Sequence, residues 1–76
     1  MTDEAFLKGF AEIVGVDDGS LTLDTPLAGV EGWDSVAYLG TMVFLEENMG
    51  VTISPDVLVN VKTAMEILSG ARALQA

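Results

Sequence analysis

The run Ser35-Val36-Ala37-Tyr38-Leu39-Gly40-Thr41-Met42-Val43-Phe44-Leu45-Glu46-Glu47-Asn48-Met49, closed by Gly50, decides the fold. At about 100° per residue, Tyr38, Met42, Leu45 and Met49 share one stripe of a helix, and Val36, Leu39 and Val43 lie on nearly the opposite one. A chain of 76 residues can hardly bury a helix all round, since a domain of that size covers only roughly 60% of its surface. One stripe is therefore expected to face the core and the other to meet solvent or a partner. The Val36 stripe begins beside Ser35 and ends beside Glu46 and Glu47, an apolar patch with an acidic rim. A competing reading packs Leu39 or Val43 under the preceding loop. Gly40 falls on the same exposed-looking side and costs the helix about 1 kcal/mol relative to Ala. Close approach of another backbone or a ligand would explain it, and so would chance.

Upstream, residues 16–34 carry Asp-Asp-Gly-Ser, Asp-Thr-Pro and two further glycines, with Leu21, Leu23, Leu27 and Val30 interspersed. This reads as a long loop pinned to the core by its leucines; connections beyond about 12 to 15 residues are uncommon unless disordered or functional. Before it, Thr2 is a good N-cap, Asp3 and Glu4 suit the positive end of a helix dipole, and Phe6, Leu7, Phe10, Ile13 and Val14 recur at helical spacing. A first helix over 3–14, stopped by Gly15, follows. Downstream, Val51-Thr52-Ile53 is a short extended piece, and Ser54-Pro55 opens a brief helix over 55–60. Thr63-Ala64-Met65-Glu66 is a capping box, in which Thr hydroxyl and Glu carboxylate would each take the other's backbone N–H. It opens a last helix carrying Ile67, Leu68, Ala71 and Leu74. The expected architecture is all-α, a single domain over 1–76. It forms a small four-helix bundle of three main helices and one short one, with a long loop between helices 1 and 2.

Composition removes whole classes of function. There is no His and no Cys, so a Ser-His-Asp triad, a cysteine nucleophile, an imidazole base and a structural zinc site are excluded. No catalytic residue and no metal ligand is assigned, and the chain is not expected to be an enzyme. Twelve acidic residues stand against Lys8, Lys62 and Arg72, a net charge of -9. Such a surface repels nucleic acid and anionic membranes, and steers the domain toward proteins with Lys/Arg patches. No apolar run reaches the length of a membrane span, and Met1-Thr2-Asp3-Glu4 is acidic where a signal peptide would be basic, so a soluble, cytoplasmic protein is expected, without membrane insertion. Asp17-Asp18-Gly19-Ser20 is a turn rather than a calcium loop: alternating ligands are missing, and the twelfth position from Asp17 is Ala28 where Glu is required.

Gly32-Trp33-Asp34-Ser35-Val36, the upstream Asp24-Thr25-Pro26-Leu27 and the downstream Leu45-Glu46-Glu47-Asn48-Met49-Gly50-Val51 resemble the carrier-protein family. That family comprises acyl carrier proteins and their peptidyl and D-alanyl relatives, and the resemblance covers nearly the whole chain. It implies that Ser35 receives 4'-phosphopantetheine from coenzyme A as a phosphodiester, made by a separate Mg²⁺-dependent phosphopantetheinyl transferase. The arm's thiol would then hold an acyl or aminoacyl group as a thioester. A cysteine-free chain leaves no protein thiol to compete for it. A helix start would also offer backbone N–H groups to the attached phosphate.

Taken alone, Ser35 reads as an N-cap; within the whole pattern it reads as the attachment point, and the two roles can coexist. Asp34 either caps the helix or contacts the transferase or its metal during modification. Trp33 reads first as a packing anchor for the loop. Val36, Leu39, Val43, Glu46 and Glu47 would form the face for a loading enzyme and downstream synthases or transferases. Val36 stands in place of the usual Leu, and Ala37 and Gly40 stand where many fatty-acid carriers have acidic residues, so the recognition face is expected to be less charged. Gly32-Trp33 resembles carriers of specialised pathways, polyketide or nonribosomal peptide, and D-alanyl carriers. The expected state is a monomer. The rival function is an unmodified acidic helical adaptor that binds through the Val36/Leu39/Val43 face.

Overall fold

The computed structural model of the chain describes residues 1–75; Ala76 and the Asp18 side chain lie outside that description. Helix α1 spans Asp3–Val14, α2 Ser35–Met49, α3 Pro55–Asn60 and α4 Ala64–Gln75. This is the expected bundle, three longer helices and one short one.

Each boundary has a local cause. Thr2 Oγ1 accepts from the Ala5 N–H at 3.1 Å at the start of α1, and Gly15 ends the helix with φ 78°, its N–H returning to Ala11 O. Gly50 closes α2 in the same way at φ 68°. These two left-handed positions favour glycine because a side chain would meet its own carbonyl there. Pro55 occupies the first turn of α3, where its missing N–H costs nothing. Ser54 stands at the N-cap, but its hydroxyl makes no cap bond; its carbonyl takes Val57 N and Leu58 N instead. The capping box before α4 is only half reciprocal. Glu66 N–H donates to Thr63 Oγ1 at 3.4 Å, but the Glu66 carboxylate accepts from Lys62 N at 3.2 Å rather than from Thr63. Thr63 pairs with Pro26 in an isolated antiparallel bridge, so the carboxylate reaches one residue further back.

The long connection is less structureless than its composition suggests. It contains two 3-10 turns, Asp18–Ser20 and Leu27–Gly29. Leu21 and Leu27 are buried in the core, with Leu23 and Val30 packed against it. Backbone bonds fasten it to the segment around the start of α4: Leu27 N–H to Lys62 O at 2.9 Å and Met65 N–H to Leu23 O at 3.0 Å. Buried leucines and satisfied backbone groups together keep a loop of this length ordered.

Phe6, Phe10, Leu27, Leu45, Leu58, Ile67 and Leu68 form the fully buried centre. Around α2 the burial differs from the sequence reading by about one residue. Ala37, Thr41, Leu45 and Met49 are its buried line, while Tyr38 and Met42 are only half-buried beside it. Small side chains at 37 and 41 let the neighbouring elements come close, which a hydrophobicity pattern does not register. Gly40 has an internal reason too: a Cβ there would sit 3.2 Å from Ile13 Cγ2 of α1. Of the readings open for Gly40, another backbone, a ligand or chance, the structure supplies the close approach of a neighbouring helix, α1. On the α1 side, a Cβ on Gly9 would run into the Phe44 ring.

Thr41 Oγ1 is buried with no hydrogen-bond partner among the described residues, which costs on the order of 1–3 kcal/mol. Thr41→Val keeps the branched shape and removes the orphan oxygen. It is expected to stabilise the domain by about 1 kcal/mol and raise its melting temperature by about 4–8 °C. A melting curve that moves down would show the hydroxyl to be bonded.

Candidate functional site

The end of the connection is set in place before the serine is reached. Gly32 lies so close to the end of α1 that a Cβ would overlap the Val14 carbonyl oxygen. Only glycine allows that approach. Trp33 then packs its ring 5.4 Å from Phe10 and 4.7 Å, edge-on, from Tyr38, and its backbone N–H donates to Val30 O. Trp33 is the packing anchor that its composition suggested, half-buried rather than offered to a ligand.

Asp34 is the N-cap of α2. Its Oδ1 accepts from Val36 N and Ala37 N, both at 3.1 Å, and its carbonyl accepts from Tyr38 N at 3.0 Å. Ser35 is consequently the first helical residue and not the cap, which corrects the reading of the serine as a cap. It is exposed, and its hydroxyl has no hydrogen bond among the described residues. With the capping work done by its neighbour, the hydroxyl is free to carry a substituent. The same arrangement alters the electrostatics expected there. Two of the N–H groups that a phosphate could have used are held by the Asp34 carboxylate. A phosphodiester on Ser35 would feel the helix dipole but stand beside a like charge.

The Val36 stripe is outward-facing throughout: Val36 is 75% exposed, Leu39 63% and Val43 52%. Neither Leu39 nor Val43 packs under the loop. Glu46 and Glu47 are exposed at the far end of the stripe. Ala37, in contrast, is buried, and Gly40 is turned toward α1. Ala37 and Gly40 are thus not part of the outward-facing stripe. One neighbouring feature escaped that reading. Val59 of α3, Lys62 and Ala28 join Trp33 and Tyr38 around a groove of about 600 Å³ on the connection's side of α2. The α3 helix is six residues long, too short for a helical period to declare which of its valines face outward.

Among the described residues no helix is long and apolar enough to cross a membrane. What the fold and site define is an acidic all-helical domain that offers an exposed serine in the first turn of α2, next to an uncovered apolar face. A family model described as the phosphopantetheine attachment site matches residues 4–69, and the chain belongs to that family of carrier domains. Comparison with curated proteins and with solved structures finds no match. Domains of the family are carriers rather than catalysts, and their cofactor is covalently attached 4'-phosphopantetheine. An exposed serine with a free hydroxyl suits a covalently attached group better than a bound one. Ser35 lies on an exposed surface rather than in a pocket.

Proposed function

We propose that Ser35 carries the 4'-phosphopantetheine, and that the domain presents an acyl or aminoacyl cargo from it to successive biosynthetic enzymes. When attached, the arm supplies the thiol that the cysteine-free chain lacks, and cargo is held on it as a thioester. The chain's own residues position and present. Asp34 holds the first turn of α2 so that Ser35 projects from a fixed base, and Phe10, Trp33 and Tyr38 hold Asp34's end of the connection. The observation that carries the reading is the division of labour at the helix start: Asp34 caps, and Ser35 is exposed and unengaged. Incubation with coenzyme A and an active phosphopantetheinyl transferase should add the mass of one phosphopantetheine. An unmodified mass beside a positive control would refute the carrier reading and leave the unmodified adaptor.

Partner enzymes dock, in this account, on Val36, Leu39 and Val43, with Glu46 and Glu47 meeting basic residues at the rim. Charges at a rim act on encounter rates more than on the bound state. Glu46→Lys combined with Glu47→Lys should slow loading by on the order of tenfold at low salt, with the difference shrinking as salt screens the field. Equal rates at low salt would remove the steering role. The protein is read as cytoplasmic and as a monomer; a net charge of -9 opposes self-association. Gly32-Trp33 supports a specialised pathway, polyketide or nonribosomal peptide in type, over housekeeping fatty-acid synthesis, with a loading enzyme and a downstream synthase or transferase as partners.

A further inference from the structure

A second groove, of about 800 Å³, runs between the long connection, α3 and the start of α4. It shares no lining residue with the Val36/Leu39/Val43 face and does not include Ser35. Val57 and Met65 line it while remaining 47% and 37% exposed, with half-buried Val61 alongside. Carboxylates come from each bordering element: Asp24 from the connection, Asp56 from α3 and Glu66 from α4. No Lys or Arg lines the groove. The ion pair found among the described residues joins Arg72 to Asp3 instead. Lys62, the nearest cation in sequence, lines the neighbouring groove beside Trp33 and Tyr38.

Exposed apolar side chains beside three carboxylates with no salt bridge among the described residues narrow the choice of occupant. A second copy of this chain would bring another charge of -9 against the rim, and a nucleic acid or an anionic lipid surface would bring the same sign. We propose that this groove docks a segment of a partner protein in which an apolar side chain is flanked by Lys or Arg. The apolar side chain rests on Val57 and Met65, and the cations meet Asp24, Asp56 and Glu66. Charge alone would let such a segment bind anywhere on so acidic a surface; an apolar floor bordered by carboxylates from three elements, against the two glutamates at one end of the α2 face, favours this place. A partner held here leaves Ser35 and the α2 face uncovered. It can tether the carrier while a different enzyme uses that face, raising its effective concentration for the second encounter.

The test uses the full, unmodified chain, so that it does not depend on whether Ser35 is ever loaded. Backbone amide NMR shifts are followed as a synthetic amphipathic peptide of Leu and Lys is added at low salt. The expected shifts concentrate at Asp56, Val57, Val61, Met65 and Ser69. Val57→Asn with Met65→Gln should weaken binding by about tenfold. Both side chains are exposed, so helical circular dichroism should be unchanged. Asp56→Asn with Glu66→Gln, which keeps an acceptor for the Lys62 N–H, should flatten the salt dependence. Shifts centred on Val36, Leu39 and Val43, shifts spread over the whole acidic surface, or an apolar double variant that binds as well as the parent would each overturn the proposal.

Discussion

Ser35→Ala is expected to gain no mass from coenzyme A and an active transferase, while folding as well as the parent. Loss of modification follows from removing the only oxygen at that position that could enter the phosphodiester. Retention of the fold follows from the structure, and it is the sharper half of the prediction. If Ser35 were the N-cap, alanine there would cost about 1 kcal/mol. Asp34 Oδ1 holds Val36 N and Ala37 N instead, and alanine is the best helix former for an exposed first-turn position. Stability should therefore change by less than about 0.5 kcal/mol, and the melting temperature by less than about 4 °C. Intact mass and a thermal melt on the same sample check both halves. A variant that still gains mass moves the attachment elsewhere, and one that melts far below the parent returns the capping role to Ser35.

The largest loss of stability is expected from Phe10→Ala. Phe10 is fully buried, stacked 5.5 Å from Phe6 and tilted 5.4 Å from Trp33. Truncating a buried Phe costs about 3–5 kcal/mol, as lost transfer energy plus the cavity left behind. At about 0.05–0.15 kcal/mol per residue, a chain of this length has only some ~4–11 kcal/mol in total. The variant should melt at least about 12 °C lower, or be largely unfolded at room temperature. Trp33 is the chain's single tryptophan and touches the deleted ring, so its fluorescence reports the change directly. The consequence reaches the site: Trp33 precedes Asp34, and a loosened Trp33 lets the cap and the serine shift together. A cost below about 1 kcal/mol would mean that Phe6 and Phe44 refill the space and that the connection is held by Gly32 and its leucines.

Much of this was legible because the decisive signals are local. Thr2, Gly15, Gly50 and Pro55 punctuate the helices through their own backbone preferences, so their positions can be read without knowing what packs where. The two-sided apolar character of α2 also survives translation, because a helix this apolar in so small a domain must leave one side uncovered. The structure then puts Val36, Leu39 and Val43 outside. What sequence could not supply is pairwise. Gly40 looked available to a partner because nothing local reveals that Ile13 comes within 3.2 Å of its missing Cβ. Asp34 and Ser35 are both good caps, and only the backbone angles entering α2 decide between adjacent candidates. The Glu66 carboxylate misses Thr63 because a bridge to Pro26, 37 positions upstream, fixes the strand-like backbone there. The groove bordered by Asp24, Asp56 and Glu66 joins three elements that are separated in the chain, and no spacing rule could have assembled it.

The central claim is that the arm is joined to Ser35, and locating the modification tests it most directly. Ser20, Ser54 and Ser69 are exposed as well, so a gain in intact mass does not by itself identify the residue. After modification by a transferase, proteolysis and fragment-ion mass spectrometry should place the phosphopantetheine on the peptide containing Trp33-Asp34-Ser35-Val36, with the mass step falling between Asp34 and Val36. A mass step at Ser20, Ser54 or Ser69 would contradict the account.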